Sequence, residues 1–140
     1  MNQDPLHSLL RLRQSELDAG RRRLGEAIVA EDRARAARRA ADDAILAETR
    51  LAAASDGDHD VEQFAQWLKR GRASLRAAEA ALDEAVGVSA YQRAELTLLR
   101  AAVEATAQAI ERKQTAAEAA RARAAQRDLD ELGTRRAFFP

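Results

Sequence analysis

The stretch from Val61 to Leu132 constrains this chain most, because its apolar positions fall on a sevenfold repeat. Val61, Leu68, Leu75, Leu82, Leu96, Val103, Ile110, Ala117 and Ala124 are spaced in sevens, with Ser89 in the one gap. A second row lies three residues on: Phe64, Gly71, Ala78, Ala85, Leu99, Thr106 and Ala120, interrupted by Gln92 and Lys113. Two rows alternating at three and four residues form a narrow stripe, which is the pattern of a coiled-coil seam. No Pro interrupts it, and Ala, Leu, Glu, Arg and Gln are good helix formers. At 1.5 Å per residue a helix over 61–132 is about 110 Å long. Such a stripe needs a partner, and the preceding residues supply one.

Asp4 and Pro5 open the first helix. An Asp at the N-cap accepts a hydrogen bond from a free backbone N–H, and Pro at the next position loses nothing by lacking one. Leu6, Leu10, Leu17, Leu24 and Ile28 begin a stripe that continues through Ala27, Ala30, Ala34, Ala37, Ala41 and Ala44 and closes with Ile45 and Leu51. Asp18–Arg22, Glu31–Arg35 and Arg39–Asp43 are spaced as ion pairs on an outer helix face. Residues 55–60, Ser-Asp-Gly-Asp-His-Asp, read as a short turn that makes the helices antiparallel neighbours. Asp60 and Gln63 fit a variant capping box for the second helix.

The predicted fold is therefore all-α: a two-helix antiparallel coiled coil with a longer second helix. Helix 1 spans about 5–54, the turn 55–60, helix 2 about 61–132, and a tail 133–140, Gly133 being the helix stop. Folding at the turn sets residues whose numbers total about 115 opposite each other: Leu51 with Phe64, Ala37 with Ala78, Ala34 with Leu82, Leu17 with Leu99 and Leu6 with Ile110. Residues beyond about Ile110 outrun the first helix. Ser89 and Gln92 repeat the capping-box spacing and mark a place for a kink.

Composition fits a seam rather than a compact core. Ala occupies 35 positions, aromatic residues are 4% and charged residues 33% of the chain. Formal net charge is zero, which argues against bulk attraction to nucleic acid or an anionic membrane. Without cysteine there is no disulfide framework and no thiolate chemistry. No apolar run approaches the roughly 20 residues a membrane span needs. The first residues lack a signal-peptide core, so a cytoplasmic location is expected.

Chemistry-bearing patterns are few. Asp56, Asp58, Asp60 and His59 suggest a metal loop, yet Val61 and Trp67 stand where an EF-hand needs Gly and Glu; a solvated, capped turn is expected, and no metal or other cofactor. His7 and His59 lie at opposite ends of the first helix. No catalytic arrangement of Ser, His and Asp is present, and a two-helix coil offers no concave cavity in which to tune a catalytic group. The chain is expected not to be an enzyme. The Arg clusters at 21–23 and 38–39 are interleaved with acids and read as solvated faces. Phe64, Trp67 and Leu68 concentrate bulk just after the turn, either as local packing or as a partner site. Residues 111–140 read either as a frayed or self-associating end or as an arm that docks into another protein.

This order resembles the FliJ family, the small coiled-coil component of the flagellar type III export apparatus, and its injectisome YscO-type relatives. Residues 6–13, Leu-His-Ser-Leu-Leu-Arg-Leu-Arg, are similar to the family's Leu-rich, Arg-punctuated start, and Glu16, Leu17 and Leu24 continue it. Phe64 and Leu68 match the early second helix. Residues 129–132, Leu-Asp-Glu-Leu, with Arg135, Arg136 and Phe138 resemble its acidic-then-basic ending. Trp67 and the alanine-heavy middle depart from the family pattern.

The resemblance implies a non-enzymatic stalk whose joined helix ends enter a hexameric export ATPase. It also implies contact with the cytoplasmic domain of the membrane export gate, and with export chaperones. Carried over, Arg11, Arg13, Asp130, Glu131, Arg135 and Arg136 fall at the ATPase end. Phe64, Trp67, Leu68 and Arg72 fall toward the gate or another partner. Such a stalk is expected to sit in the cytoplasm at the base of the apparatus, without membrane insertion or nucleic acid, and to be monomeric when free. The alternatives are an oligomeric coiled-coil scaffold whose arm pairs with itself, and a helical protein associated with nucleic acid.

Overall fold

A computed structural model describes residues 4–55 and 57–138. The chain forms two helices, α1 (Pro5–Ala53) and α2 (Asp58–Phe138), packed against each other as an all-α hairpin with the longer helix second. By packing, the chain divides into two compact units: residues 18–98, and residues 1–17 together with 99–140.

In the unit of residues 18–98, the less exposed positions of α2 are Phe64, Trp67, Leu68, Gly71, Leu75, Ala78, Leu82, Ala85, Ser89, Gln92, Glu95 and Leu96. These are the two expected rows, with Trp67 and Glu95 beside them. The matching line on α1 keeps Ala27, Ala34, Ala41 and Ile45 of the expected stripe and departs from it elsewhere. It runs through Gly20, Leu24, Ala27, Glu31, Ala34, Ala41, Ile45, Glu48 and Ala52. Ala30, Ala37 and Ala44 face solvent, as do Ile28 and Leu51. The reason is periodicity: the row set by Leu10, Leu17 and Leu24 reaches Glu31, Arg38, Ile45 and Ala52 in steps of seven, so polar residues occupy seam places. Glu31 thus lies at the seam rather than on the outer face.

Ile45 meets Gly71 in this unit. Stepping by threes and fours along both helices from that contact pairs Ala52 with Phe64, Arg38 with Ala78, Ala34 with Leu82, and Ala27 with Ser89. Leu51 and Ala37, assigned to the seam from sequence, are thus one residue off the layers that Ala52 and Arg38 hold. Arg38 reaches outward to Glu79 at 4.0 Å. Glycine at 71 has a structural cause. A Cβ there would lie 3.0 Å from the Trp67 ring, which lies across the position, and 3.5 Å from Ile45.

The turn is shorter than expected. Backbone N–H groups of Asp60 and Val61 already donate to the Gly57 carbonyl at 3.2 and 3.4 Å, so α2 starts before Asp60. Asp60 therefore accepts from the Ser55 hydroxyl instead of capping, and Gln63 meets His59 at 3.1 Å, so the expected box does not form. Val61 is exposed beyond the end of the seam.

In the unit containing both chain ends, Leu17, Thr106 and Ile110 are buried. Leu6, Leu10 and Arg13 on α1, and Leu99, Val103 and Ala109 on α2, are half-buried. Asp4, Ile110 and Lys113 come together at the start of α1. Asp4 caps α1 as its sequence predicts: its carboxylate accepts from the Leu6 N–H at 3.0 Å, and its carbonyl accepts from His7 and Ser8. Lys113 of α2 bonds the same carboxylate at 3.3 Å. The Leu6 N–H is the main reason the Asp4 carboxyl is held below its usual range, with Lys113 and His7 adding to it against partial desolvation.

Gly133 does not stop α2. No described glycine has a positive φ, which a left-handed cap would require. The Thr134 hydroxyl donates to the Asp130 carbonyl at 2.9 Å, and Arg135 pairs with Glu131 one turn back at 3.1 Å. The helix continues to Phe138, so the expected tail is helical as far as it is described; Phe139 and Pro140 lie outside the described residues.

Candidate functional site

Three places on the chain stand out from a plain coiled coil. The first is a polar layer inside the seam. Ser89 is wholly buried, and its hydroxyl donates to the Glu31 carboxylate at 2.8 Å. The same oxygen lies 3.1 Å from the Val86 carbonyl and accepts from Arg93 at 3.3 Å. Arg35 pairs with the other Glu31 oxygen at 3.2 Å. The Ser89 hydroxyl is the largest cause holding the Glu31 carboxyl below its usual range; Arg35 and Arg93 add to it and desolvation opposes it. One turn on, the buried Gln92 Oε1 has no hydrogen-bond partner among the described residues. The helix runs unbroken through 87–92, so the Ser89–Gln92 spacing marks this layer rather than a new helix start. Sequence reading placed Ser89 in the seam but missed Glu31, although Glu31 lies seven residues after Leu24.

The second place is the turn end. Phe64 and Trp67 stack with ring centroids 6.5 Å apart and planes at 17°. They line an open cleft of about 560 Å³ with Leu51, Gln63, Glu48 and Arg70. Leu68 is half-buried in the seam, and Arg72 is exposed and does not line the cleft. The proposed partner-contact set therefore divides: Phe64 and Trp67 share a surface, whereas Leu68 and Arg72 are elsewhere on the helix. Sequence reading had set Leu51 opposite Phe64; that Glu48 and Arg70 share the same surface was not legible without the register.

The third place is the arm of α2 beyond Lys113. From Gln114 to Phe138 every residue is exposed except Ala124, which is half-buried. Leu129, Leu132 and Phe138 are 63%, 57% and 75% exposed. At the arm's base, Asp4, Ile110, Lys113, Gln114, Ala117, Glu118 and Arg121 line a second cleft of about 410 Å³.

The residues assigned to an ATPase end separate along this unit. Asp130 accepts from Gln126 at 2.9 Å, Glu131 pairs with Arg135, and Arg136 is exposed, all near the far end of the arm. Arg11 meets the Ser8 hydroxyl at 3.3 Å, and Arg13 pairs with Glu16 at 3.0 Å. Because Asp4 lies beside Lys113, Arg11 and Asp130 are roughly 35 Å apart along the helix axis at 1.5 Å per residue. Charge at the two helix ends therefore makes two surfaces, not one.

Among the described residues no group of three or more His, Asp or Glu side chains is placed to hold a metal; Asp56 lies outside them. No described helix is long and apolar enough to cross a membrane. Set against protein-family models, curated proteins and solved structures, the chain matches none of them.

Proposed function

We propose that this chain is a non-catalytic helical stalk that binds other proteins through its ends, and that it serves in a flagellar or injectisome type III export apparatus. The observation that carries the docking role is the arm: α2 stays helical from Gln114 to Phe138 with its seam face uncovered among the described residues. A helix that buries nothing of its own gains stability only when another surface covers it. Its Leu129, Leu132 and Phe138 side chains supply the apolar area for such a contact.

The export setting is supported by the sequence resemblance of residues 6–24 and 129–138 to FliJ-like proteins, and by nothing in the comparisons. In that setting the arm enters the ring of the hexameric export ATPase. The Phe64–Trp67 surface faces the export gate or a chaperone, and the protein works in the cytoplasm at the base of the apparatus. A stiff coil transmits position between these ends, and an asymmetric shaft inside a ring touches only some subunits at once.

Removing residues 126–140 tests the reading. Stimulation of the ATPase is expected to disappear while circular dichroism reports an intact coil. Undiminished stimulation by the truncated chain would rule out docking through the arm.

A further inference from the structure

The arm also carries a charge order that fits a second copy of itself. We propose that two chains associate through their arms, antiparallel, about a two-fold axis passing between Ala125 and Gln126. This goes beyond the docking role and departs from the sequence expectation of a free monomer.

Continuing the seam rows past Ile110 gives Lys113, Ala117, Ala120, Ala124, Arg127, Glu131, Thr134 and Phe138 on the inner face. Arg121 and Asp128 flank it on one side, Arg123 and Asp130 on the other. In an antiparallel pair, residues of one flank meet the same flank of the partner. With the axis between Ala125 and Gln126, Arg121 meets the second copy's Asp128 and Arg123 meets its Asp130. Symmetry repeats both, giving four opposite-charge contacts.

The inner layers fit as well. Ala124 lies against Arg127, Ala120 against Glu131 and Ala117 against Thr134. Each long charged side chain thus faces an alanine, over which its methylene stem lies while the charged head reaches water.

The ends of the pairing bring together Phe138 and the cleft at the arm's base. Phe138, 75% exposed, comes opposite Lys113, over the cleft of about 410 Å³ formed by Ile110, Lys113, Gln114 and Ala117. An aromatic ring there lies over the stem of Lys113, whose ammonium also pairs with Asp4 at 3.3 Å. Among the described residues Arg121, Arg123, Arg127 and Asp128 form no ion pair, so all four are available.

Other arrangements are penalised by the same charges. Shifting the antiparallel pair by one heptad in one direction sets Arg121 and Arg123 against their own copies. The opposite shift does so for Asp128 and Asp130. A parallel, in-register pair stacks Lys113, Arg127 and Glu131 on themselves in the inner layers. Like charges directly opposed destabilise a pair and thereby fix its register.

The test uses the full chain in sedimentation equilibrium from micromolar concentration to about 1 mM. The wild-type chain is expected to pass from monomer toward dimer, more weakly as salt rises. Two variants sharpen this: Arg121→Asp with Arg123→Asp makes both flanks acidic, and Asp128→Arg with Asp130→Arg makes both basic. Each alone is expected to weaken self-association by about tenfold or more, with helicity unchanged by circular dichroism. Mixed in equal amounts they are expected to associate at least as tightly as wild type, because all four contacts are then opposite in sign. Phe138→Ala is expected to weaken the dimer without altering its salt dependence. A wild-type chain that stays monomeric throughout, variants that self-associate like wild type, or a mixture that stays monomeric would each overturn the proposal. None of these measurements involves the ATPase, so their failure is separable from failure of the docking role.

Discussion

The two parts of α2, residues 64–110 and residues 111–138, have similar helix-forming composition and very different surroundings. The first presents Leu, Val and Ile on a sevenfold row, and nearly all of those places are buried or half-buried. The second continues the row with Ala117, Ala120, Ala124 and then charged residues, and its larger apolar side chains, Leu129 and Leu132, sit off that line. Helix propensity alone therefore does not decide which part packs. The seam ends where α1 begins, with Asp4 beside Lys113, and the row gives up its large apolar side chains at the same place.

Truncating one leucine in each part gives the largest expected contrast. Leu96 is 6% exposed, whereas Leu129 is 63% exposed. Leu96→Ala is expected to cost roughly 2–3 kcal/mol, from lost burial and the space left beside α1. Leu129→Ala is expected to stay within about 0.5 kcal/mol of wild type, as exposed substitutions usually do. Urea unfolding of the two variants measures this. Similar losses at both positions would mean that the arm is packed in solution, and the contrast between the two parts would fail.

The seam holds its own contrast, between hydrophobic layers and the layer of Ser89 and Glu31. Removing the Ser89 hydroxyl leaves a carboxylate in the seam without its closest donor. Ser89→Ala is expected to cost about 1 kcal/mol, the usual net worth of a hydrogen bond. Making both positions apolar, Ser89→Ala with Glu31→Leu, is expected to recover much of it, because no unsatisfied charge then remains.

The pH dependence follows from the same bond. Glu31 and Asp4 both have folded-state values below their ordinary ones. The unfolded chain thus binds more protons than the folded one as pH falls into the carboxylate range. Their stabilisation is fully present above the ordinary carboxylate values and is lost as pH falls through the lowered ones. Thermal melts at descending pH are expected to show falling stability, with a shallower slope in Ser89→Ala. An unchanged slope would remove Ser89 as the cause.

The sevenfold row made most of the α2 seam readable from sequence, including Ser89 and Thr106 as internal places. It put Ala34, Leu82, Leu6 and Ile110 in the seam, where all four are buried or half-buried. On α1 the same method found Ala27, Ala34, Ala41 and Ile45 but also admitted Ala30, Ala37, Ala44 and Leu51, which are exposed. With 35 alanines in the chain, a path at three-or-four spacing can be drawn through several phases, so alanine itself carries no phase information. Only Leu10, Leu17, Leu24 and Ile45 did, and following them leads through Glu31 and Arg38, which a search for apolar residues rejects. The Asp4 cap was readable because its partner is two residues away. The Lys113 contact to Asp4 was not, because it depends on register to a single residue. The two clefts and the division of the charged ends depend on it equally.

Glycine gives the smallest and most local contrast. Gly71 and Gly133 both lie inside α2, and in a helix interior each costs about 1 kcal/mol relative to Ala. At Gly133 an added Cβ meets nothing within 4 Å. Gly133→Ala is therefore expected to raise the helicity of the arm and recover up to about 1 kcal/mol locally, visible as slower amide exchange in residues 126–138. At Gly71 the same methyl would lie 3.0 Å from the Trp67 ring. There the propensity gain is opposed by pushing a half-buried indole toward water, so Gly71→Ala is expected to leave stability nearly unchanged and shift Trp67 fluorescence to the red. A blue shift, or an arm whose exchange does not respond to Gly133→Ala, would mean that the two glycines do not differ in the way their neighbours imply.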